Sequence, residues 1–153
     1  MTIEEICKQY NILNYTINSD GSIDVDGDVW IASWSRNKNE INKLPLKFNK
    51  VTGNFSCTWN KLTSLDGAPN YVDGHFSCNH NQLTSLEGCP KEVGGYFDCN
   101  NNQLTSLDGC PNYVGGNFHC FGNPLPQEII DNPETELKRL NREKKLNYLL
   151  NET

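Results

Sequence analysis

The residues of this 153-residue chain that could do chemistry include seven cysteines and three histidines. One of the histidines is regularly spaced with a serine and an aspartate. Ser77, Asp98 and His119 are spaced 21 residues apart, so a structure that repeats every 21 residues would align them in one column. A hydrolytic triad requires the histidine between the serine and the acid. Here the aspartate would lie in the middle. We therefore expect no catalysis from this column, although Asp98 and His119 could share a hydrogen bond.

The cysteines and histidines do not have the spacing of a metal site. The chain contains no C-x-x-C pair, which is the usual signature of a zinc ligand set. His75 and His80 are five residues apart, and on an extended segment they should be too distant to share a metal. We therefore predict neither a metal ion nor a cofactor.

One repeat defines the elements that position these residues. The unit V-x-G-x-F-x-C-x-x-N-x-L-T-S-L-[DE]-G-x-P-x-x begins at residue 51 and recurs every 21 residues. Its phenylalanine and cysteine should point inward from a short strand, and its asparagine should turn the chain and hydrogen-bond to the backbone along the stack. Unpaired cysteines are then small buried hydrophobic residues. The two predicted structural ladders are Cys57, Cys78, Cys99 and Cys120, and Asn60, Asn81, Asn102 and Asn123.

Stacked units of this kind form a solenoid in which each coil contacts only its neighbours. Glycine and proline in every unit argue against helices on the convex side. A fainter unit precedes the regular ones, with a loop expected around Ser35–Asn39. The sequence therefore predicts a right-handed repeat solenoid of about five coils over residues 25–126, with a parallel sheet on one face and a helix-poor convex side.

Both ends of the chain have the sequence of helical caps. In residues 1–24, Thr2 and Glu5 have the spacing of a capping box before a short helix, and a hairpin broken at Asp20-Gly21 follows. In residues 127–153, Pro133 is suited to the first position of a helix ending near residue 150. The leucines expected to cover the last coil are Leu137, Leu140, Leu146, Leu149 and Leu150.

Longer phrases of the chain resemble a known family. F-x-C-x-x-N-x-L is similar to the leucine-rich-repeat core L-x-L-x-x-N-x-L, with Phe and Cys in place of two strand leucines. The phrases LTSLDGAPNYVDGHFSCNHNQLTSLEGCP and INSDGSIDVDGDVWI resemble those of leucine-rich-repeat proteins of large tailed bacteriophages. The resemblance covers roughly residues 17–126. It implies a leucine-rich-repeat-like fold in a small cytoplasmic protein made during infection, and the family has no known catalytic site whose residues could be assigned here.

Charge and hydropathy argue against several partners. The formal net charge is −6, and the basic residues around Arg139 alternate with glutamates, as on a solvated helix face, so nucleic acid is not an expected partner. The N-terminus lacks the pattern of a signal peptide, and no stretch has the roughly 20 apolar residues of a membrane span. We expect a cytoplasmic protein with reduced cysteines.

The outward positions of the strands carry all three histidines and several aromatic side chains, which are residue types that anchor interfaces. Repeat proteins usually bind through their concave strand surface. The main hypothesis is a non-enzymatic protein-binding module that binds or inhibits a host protein, such as a defence component. The alternative is a binder of small ligands or nucleotides, although the acidic repeats disfavour anions. The predicted binding residues are Trp30, Trp59, His75, His80, Tyr96, Asp98, His119 and Phe121.

Overall fold

The fold is seen in a computed structural model that describes residues 1–31 and 40–151. The loop expected around Ser35–Asn39 lies outside the described residues. In chain order the elements are α1 (Ile3–Gln9), β1 (Tyr15–Ile17), β2 (Ile23–Val25), β3 (Val29–Trp30), β4 (Phe48–Val51), β5 (Phe55–Ser56), β6 (Tyr71–Val72), β7 (Phe76–Ser77), β8 (Glu92–Val93), β9 (Phe97–Asp98), β10 (Tyr113–Val114), β11 (Phe118–His119), α2 (Gln127–Asp131) and α3 (Pro133–Asn151).

Two sheets run along the solenoid, and each regular coil contributes one short strand to each of them. Strands β3, β5, β7, β9 and β11 form a parallel five-stranded sheet. The solenoid has about four turns, rather than the five coils that the sequence predicted. Strands β2, β4, β6, β8 and β10 form a second parallel sheet, and β1 adds to it antiparallel through the predicted hairpin.

The prediction of one parallel sheet is therefore incomplete, because the valine column forms a sheet of its own. In one coil, Val72 belongs to β6 and the next strand, β7, begins at Phe76. Gly74 lies between them, where a Cβ atom would be only 2.7 Å from the carbonyl oxygen of Gly53 in the previous coil. Since a side chain does not fit there, glycine lets consecutive coils approach at the junction of the two sheets.

The core is a stack of phenylalanines, as the repeat predicts. The rings of Phe55 and Phe76 stack with centroids 5.5 Å apart, and the spacing continues at 5.1 Å to Phe97 and 4.9 Å to Phe118. All four rings are buried. Offset stacking of this kind adds about 0.5–1.5 kcal/mol per pair to the free energy of burial. The rings therefore define one continuous core through the regular coils.

The asparagine ladder satisfies the backbone where each coil turns. The Nδ2 of Asn81 donates to the carbonyl oxygens of Cys57 and Cys78, both at 3.0 Å, and its Oδ1 accepts from the backbone N–H of Leu62 at 3.0 Å. The amide therefore connects two successive coils. The other members of the ladder repeat this pattern, and they are Asn60, Asn102 and Asn123.

The cysteine ladder is buried and unpaired, as predicted. The four thiols at the inward position are free and almost inaccessible to solvent. Burial raises the pKa of Cys57 to about 12 and that of Cys120 to about 11. Burial also raises the pKa of Cys78 and Cys99 well above the usual value. The thiols therefore remain protonated, and only the thiolate is a good nucleophile.

We expect the native protein to resist thiol reagents at the ladder positions at pH 8, while all seven cysteines react in urea. Mass spectrometry after iodoacetamide treatment measures this. Rapid native labelling of Cys57 or Cys120 would contradict the burial.

Burial of the thiols also makes the stability of the protein depend on pH. Above pH 9 the unfolded chain loses thiol protons that the folded chain keeps up to about pH 12. The free energy of unfolding should therefore fall as the pH rises through this window.

One helix precedes the solenoid and two follow it. Helix α1 has the predicted capping box, in which the backbone N–H of Glu5 donates to Thr2 Oγ1 and the N–H of Thr2 donates to the Glu5 carboxylate. Helix α3 begins at Pro133, and its side chains cover open carbonyls of the last coil. Asn141 Nδ2 donates to the carbonyl oxygens of Pro111 and Asn112, both at 3.1 Å. Lys144 Nζ donates in the same way to Cys110, at 2.6 Å.

The leucines of α3 divide into two groups, contrary to the prediction that all five cover the last coil. Leu137 and Leu140 are buried, whereas Leu146, Leu149 and Leu150 are at least half exposed. A helix of 19 residues is about 28 Å long, which exceeds what the end of a single coil can cover. Only its first half therefore serves as the hydrophobic cap.

Candidate interaction face

The strand face, defined as the outward side of the five-stranded sheet with the residues immediately before its strands and the turns that follow them, carries the predicted binding residues. Strand order along the sheet is β3, β5, β7, β9 and β11, so residues from distant parts of the sequence lie on neighbouring strands. Trp30 is at one end of this order, and His119 is at the other. The histidines and aromatic residues form two clusters on this face.

The first cluster is a stacked pair. The rings of Trp59 and His80 have centroids 3.8 Å apart and an interplanar angle of 13°. Both residues lie in the turn after the strand, one coil apart, rather than on the strand itself as the sequence predicted. Half of the surface of Trp59 is exposed. The pair therefore presents a flat aromatic surface to solvent.

The backbone of this turn is left-handed, which makes Trp59 an unusual choice. The four residues at this position have φ between 52° and 69°. Asn101 and Gly122 tolerate this conformation, but a bulky side chain costs about 1–2 kcal/mol there. Backbone hydrogen bonds maintain the turn without the side chain, since Trp59 N donates to Asn79 O at 3.2 Å. The fold therefore does not require tryptophan at this position.

The second cluster lies where the strands begin, with His75 and Tyr96 directly before β7 and β9 and His119 on β11. The rings of His75 and Tyr96 stack with centroids 3.9 Å apart at 13°, and Tyr96 meets His119 edge-on at 6.1 Å. Three rings from successive coils are thereby in contact. Tyr96 is exposed and His119 is half-buried. This cluster therefore offers both an aromatic surface and imidazole nitrogens.

A hydrogen-bonded column that was not predicted from the sequence supports the second cluster. Asp28 Oδ1 accepts from Asn54 N at 2.7 Å, Asn54 Oδ1 accepts from His75 N at 2.8 Å, and His75 Nδ1 accepts from Tyr96 N at 3.0 Å. The last bond requires His75 to be unprotonated at Nδ1. Aspartate, asparagine and histidine each carry an acceptor at the same distance from Cα. Their succession at one position of the repeat was the signal from which the sequence could have predicted this column. A Cβ atom at Gly95 would lie only 2.1 Å from His75 Nδ1, so no side chain fits at this position.

Asp98 is engaged in local structure rather than in an acid–histidine pair. Its carboxylate accepts from Asn79 Nδ2 and from the backbone N–H of Asn100. The plausible hydrogen bond to His119 is not formed among the described residues. Asn79 Nδ2 also donates to Ser77 Oγ at 3.4 Å. The column of Ser77, Asp98 and His119 therefore has none of the mutual hydrogen bonds that nucleophilic catalysis requires.

Trp30 and Phe121 lie at opposite ends of the strand face and are 50% and 60% exposed. Trp30 is on β3, beside Ser56 of the next strand. Phe121 follows β11, and its backbone N–H donates to Asn100 Oδ1 at 2.6 Å. Neither ring stacks on another among the described residues. The face therefore consists of two clusters of rings and of two separate aromatic rings, one at each end.

The described part of the chain contains no cluster of three or more histidine, cysteine or acidic side chains arranged to hold a metal ion. None of its helices is long and apolar enough to cross a membrane. No protein-family model, curated protein or solved structure matches the chain. The architecture that these residues build is a β-solenoid of short parallel strands with a helix at its C-terminal end.

Proposed function

We propose that this chain is a non-enzymatic binding module that recognises a partner protein through the strand face. The observation that carries the proposal is the exposed Trp59–His80 stack in a turn where tryptophan is conformationally costly. Local strain at an exposed position is typical of residues kept for recognition. The core does not use these rings, because phenylalanine, cysteine and leucine fill the inward positions.

The composition of the face fits a protein partner. Tryptophan, tyrosine and histidine combine an apolar ring with a polar group, and tryptophan and tyrosine often dominate the binding energy of interfaces. The two clusters are also pre-ordered by stacking and by the hydrogen-bonded column. Less rotamer entropy is then lost on association. Following the resemblance to leucine-rich-repeat proteins of tailed bacteriophages, we propose a protein of the infected host's cytoplasm as the partner.

Replacement of Trp59 by asparagine tests the proposal. The variant has the side chain that Asn101 carries at the equivalent position. Relief of the left-handed strain should offset the lost stacking on His80, so the melting temperature should stay close to that of the wild type. Affinity for the partner should fall about tenfold to a hundredfold, as for an ordinary hot-spot residue. The partner is first captured from a bacterial lysate by the wild-type protein, and its affinity is then measured by titration calorimetry.

The matched control is Lys91→Ala, an exposed position outside the strand face. A captured protein that binds Trp59→Asn normally but loses affinity for Lys91→Ala would show that the interface lies elsewhere. Copurification of a stoichiometric small molecule, with no protein bound, would instead favour the alternative of a small-ligand binder.

A further inference from the structure

A second candidate site lies at the C-terminal end of the solenoid, between the last coil and α3. It is a cleft of about 500 Å³. Val114, Gly116 and Phe118 line it from the coil, and Leu137, Lys138 and Arg142 line it from the helix. This volume is in the range of ligand-binding clefts. None of the residues of the strand face lines it.

One wall of the cleft is the open edge of a sheet. Strand β10 is the last strand of the six-stranded sheet. One coil earlier, the carbonyl oxygens of Val93 and Gly95 accept from the backbone N–H groups of Gly115 and Gly116, both at 2.8 Å. The corresponding carbonyls of the last coil are those of Val114 and Gly116, and no further coil follows in the described chain.

The edge is accessible and able to pair with another strand. Tyr113 is 57% exposed, Gly115 and Gly116 are exposed, and Val114 is half-buried. Helix α3 covers the carbonyls of residues 110–112 but leaves those of Val114 and Gly116 to the cleft. Unpaired backbone groups on an exposed edge are a template for an added strand.

The charges of the cleft select the kind of strand. Lys138 and Arg142 form no ion pair among the described residues, whereas the neighbouring Arg139 bridges Glu136 and Glu143. One acidic residue, Glu134, also lines the cleft, which leaves one net positive charge. In a chain of net charge −6, this local excess of unpaired cations favours an acidic ligand.

We propose that the cleft binds an extended acidic peptide segment of a partner protein, which adds as a strand along β10. Backbone N–H groups of the peptide donate to the carbonyls of Val114 and Gly116. An apolar side chain of the peptide packs between Val114 and Leu137, and a carboxylate approaches Lys138 and Arg142. Strand addition uses backbone hydrogen bonds for affinity and side chains for selection. The site is separate from the strand face and does not depend on it.

Selection from an mRNA-display library of random decapeptides on the wild-type protein tests this proposal. The selected peptides should be enriched in aspartate or glutamate next to an apolar residue. Their affinity should fall at least about tenfold for Lys138→Glu combined with Arg142→Glu. N-methylation of alternate peptide amides should produce a similar loss, because it removes the donors needed for strand addition.

Two variants serve as controls that should bind the selected peptides like the wild type. Lys145→Glu reverses an exposed charge of the same helix outside the cleft, and Trp59→Asn alters the strand face. Failure to select any peptide would overturn the proposal. So would selected peptides that bind the double variant as tightly as the wild type, or that tolerate N-methylation. None of these three outcomes bears on binding by the strand face.

Discussion

Replacement of Asn81 by alanine is expected to lower the free energy of unfolding by about 3–5 kcal/mol, a large share of the 5–15 kcal/mol typical of a domain. The side chain is buried and holds three backbone groups of two coils. Its loss leaves the buried N–H of Leu62 without a partner. The carbonyls of Cys57 and Cys78 lose one donor each but keep the Nδ2 groups of Asn60 and Asn102. One buried unsatisfied group costs about 1–3 kcal/mol, and each of the two lost hydrogen bonds to a carbonyl costs about 0.5–1.5 kcal/mol.

Urea denaturation followed by circular dichroism measures this loss. Gln82→Ala is the matched control, since Gln82 is the adjacent amide side chain and is exposed. It should change stability by less than about 0.5 kcal/mol. An Asn81→Ala protein that unfolds within about 1 kcal/mol of the wild type would show that the ladder contributes little to the stack.

Removal of residues 127–153 is expected to destabilise the last coil and to cause association. The truncation uncovers the surface buried by Leu137 and Leu140, whose burial contributes about 3–6 kcal/mol together. It also deprives the carbonyls of Cys110, Pro111 and Asn112 of their donors on α3. With β11 and β10 both open, the chain presents two strand edges, which favour pairing with another molecule.

Analytical ultracentrifugation and thermal unfolding of the truncated chain measure these effects. Two point variants of the full chain test whether the buried leucines of α3, rather than the helix as a whole, stabilise the last coil. Leu140→Ala should cost about 2–5 kcal/mol because Leu140 is buried, whereas Leu149→Ala should cost less than about 0.5 kcal/mol because Leu149 is 51% exposed. A monomeric truncated chain of unchanged stability would assign α3 a role other than capping.

For several residues of the candidate site, the sequence predicted where they lie on the fold but not which residues they contact. The period of 21 residues was enough to assign Trp59, His75 and Tyr96 to one surface. It could not reveal that Trp59 stacks on His80, because backbone φ is not encoded by a hydrophobic pattern. It could not reveal the partners of Asp98 either, since a carboxylate on a sheet can turn to any neighbouring donor. The cleft at β10 was also missed, because it depends on where α3 packs.

The sequence by itself determined which side chains are inside the solenoid. A strict period places phenylalanine, cysteine and asparagine in the same environment in every coil, so one physical argument applies to each column. Only the tertiary structure decided that the valine column, exemplified by Val72, forms a second sheet, because strands of two residues show no readable alternation. It also decided which leucines of α3 are buried, since helical periodicity defines a face but not the length of the surface against which that face packs.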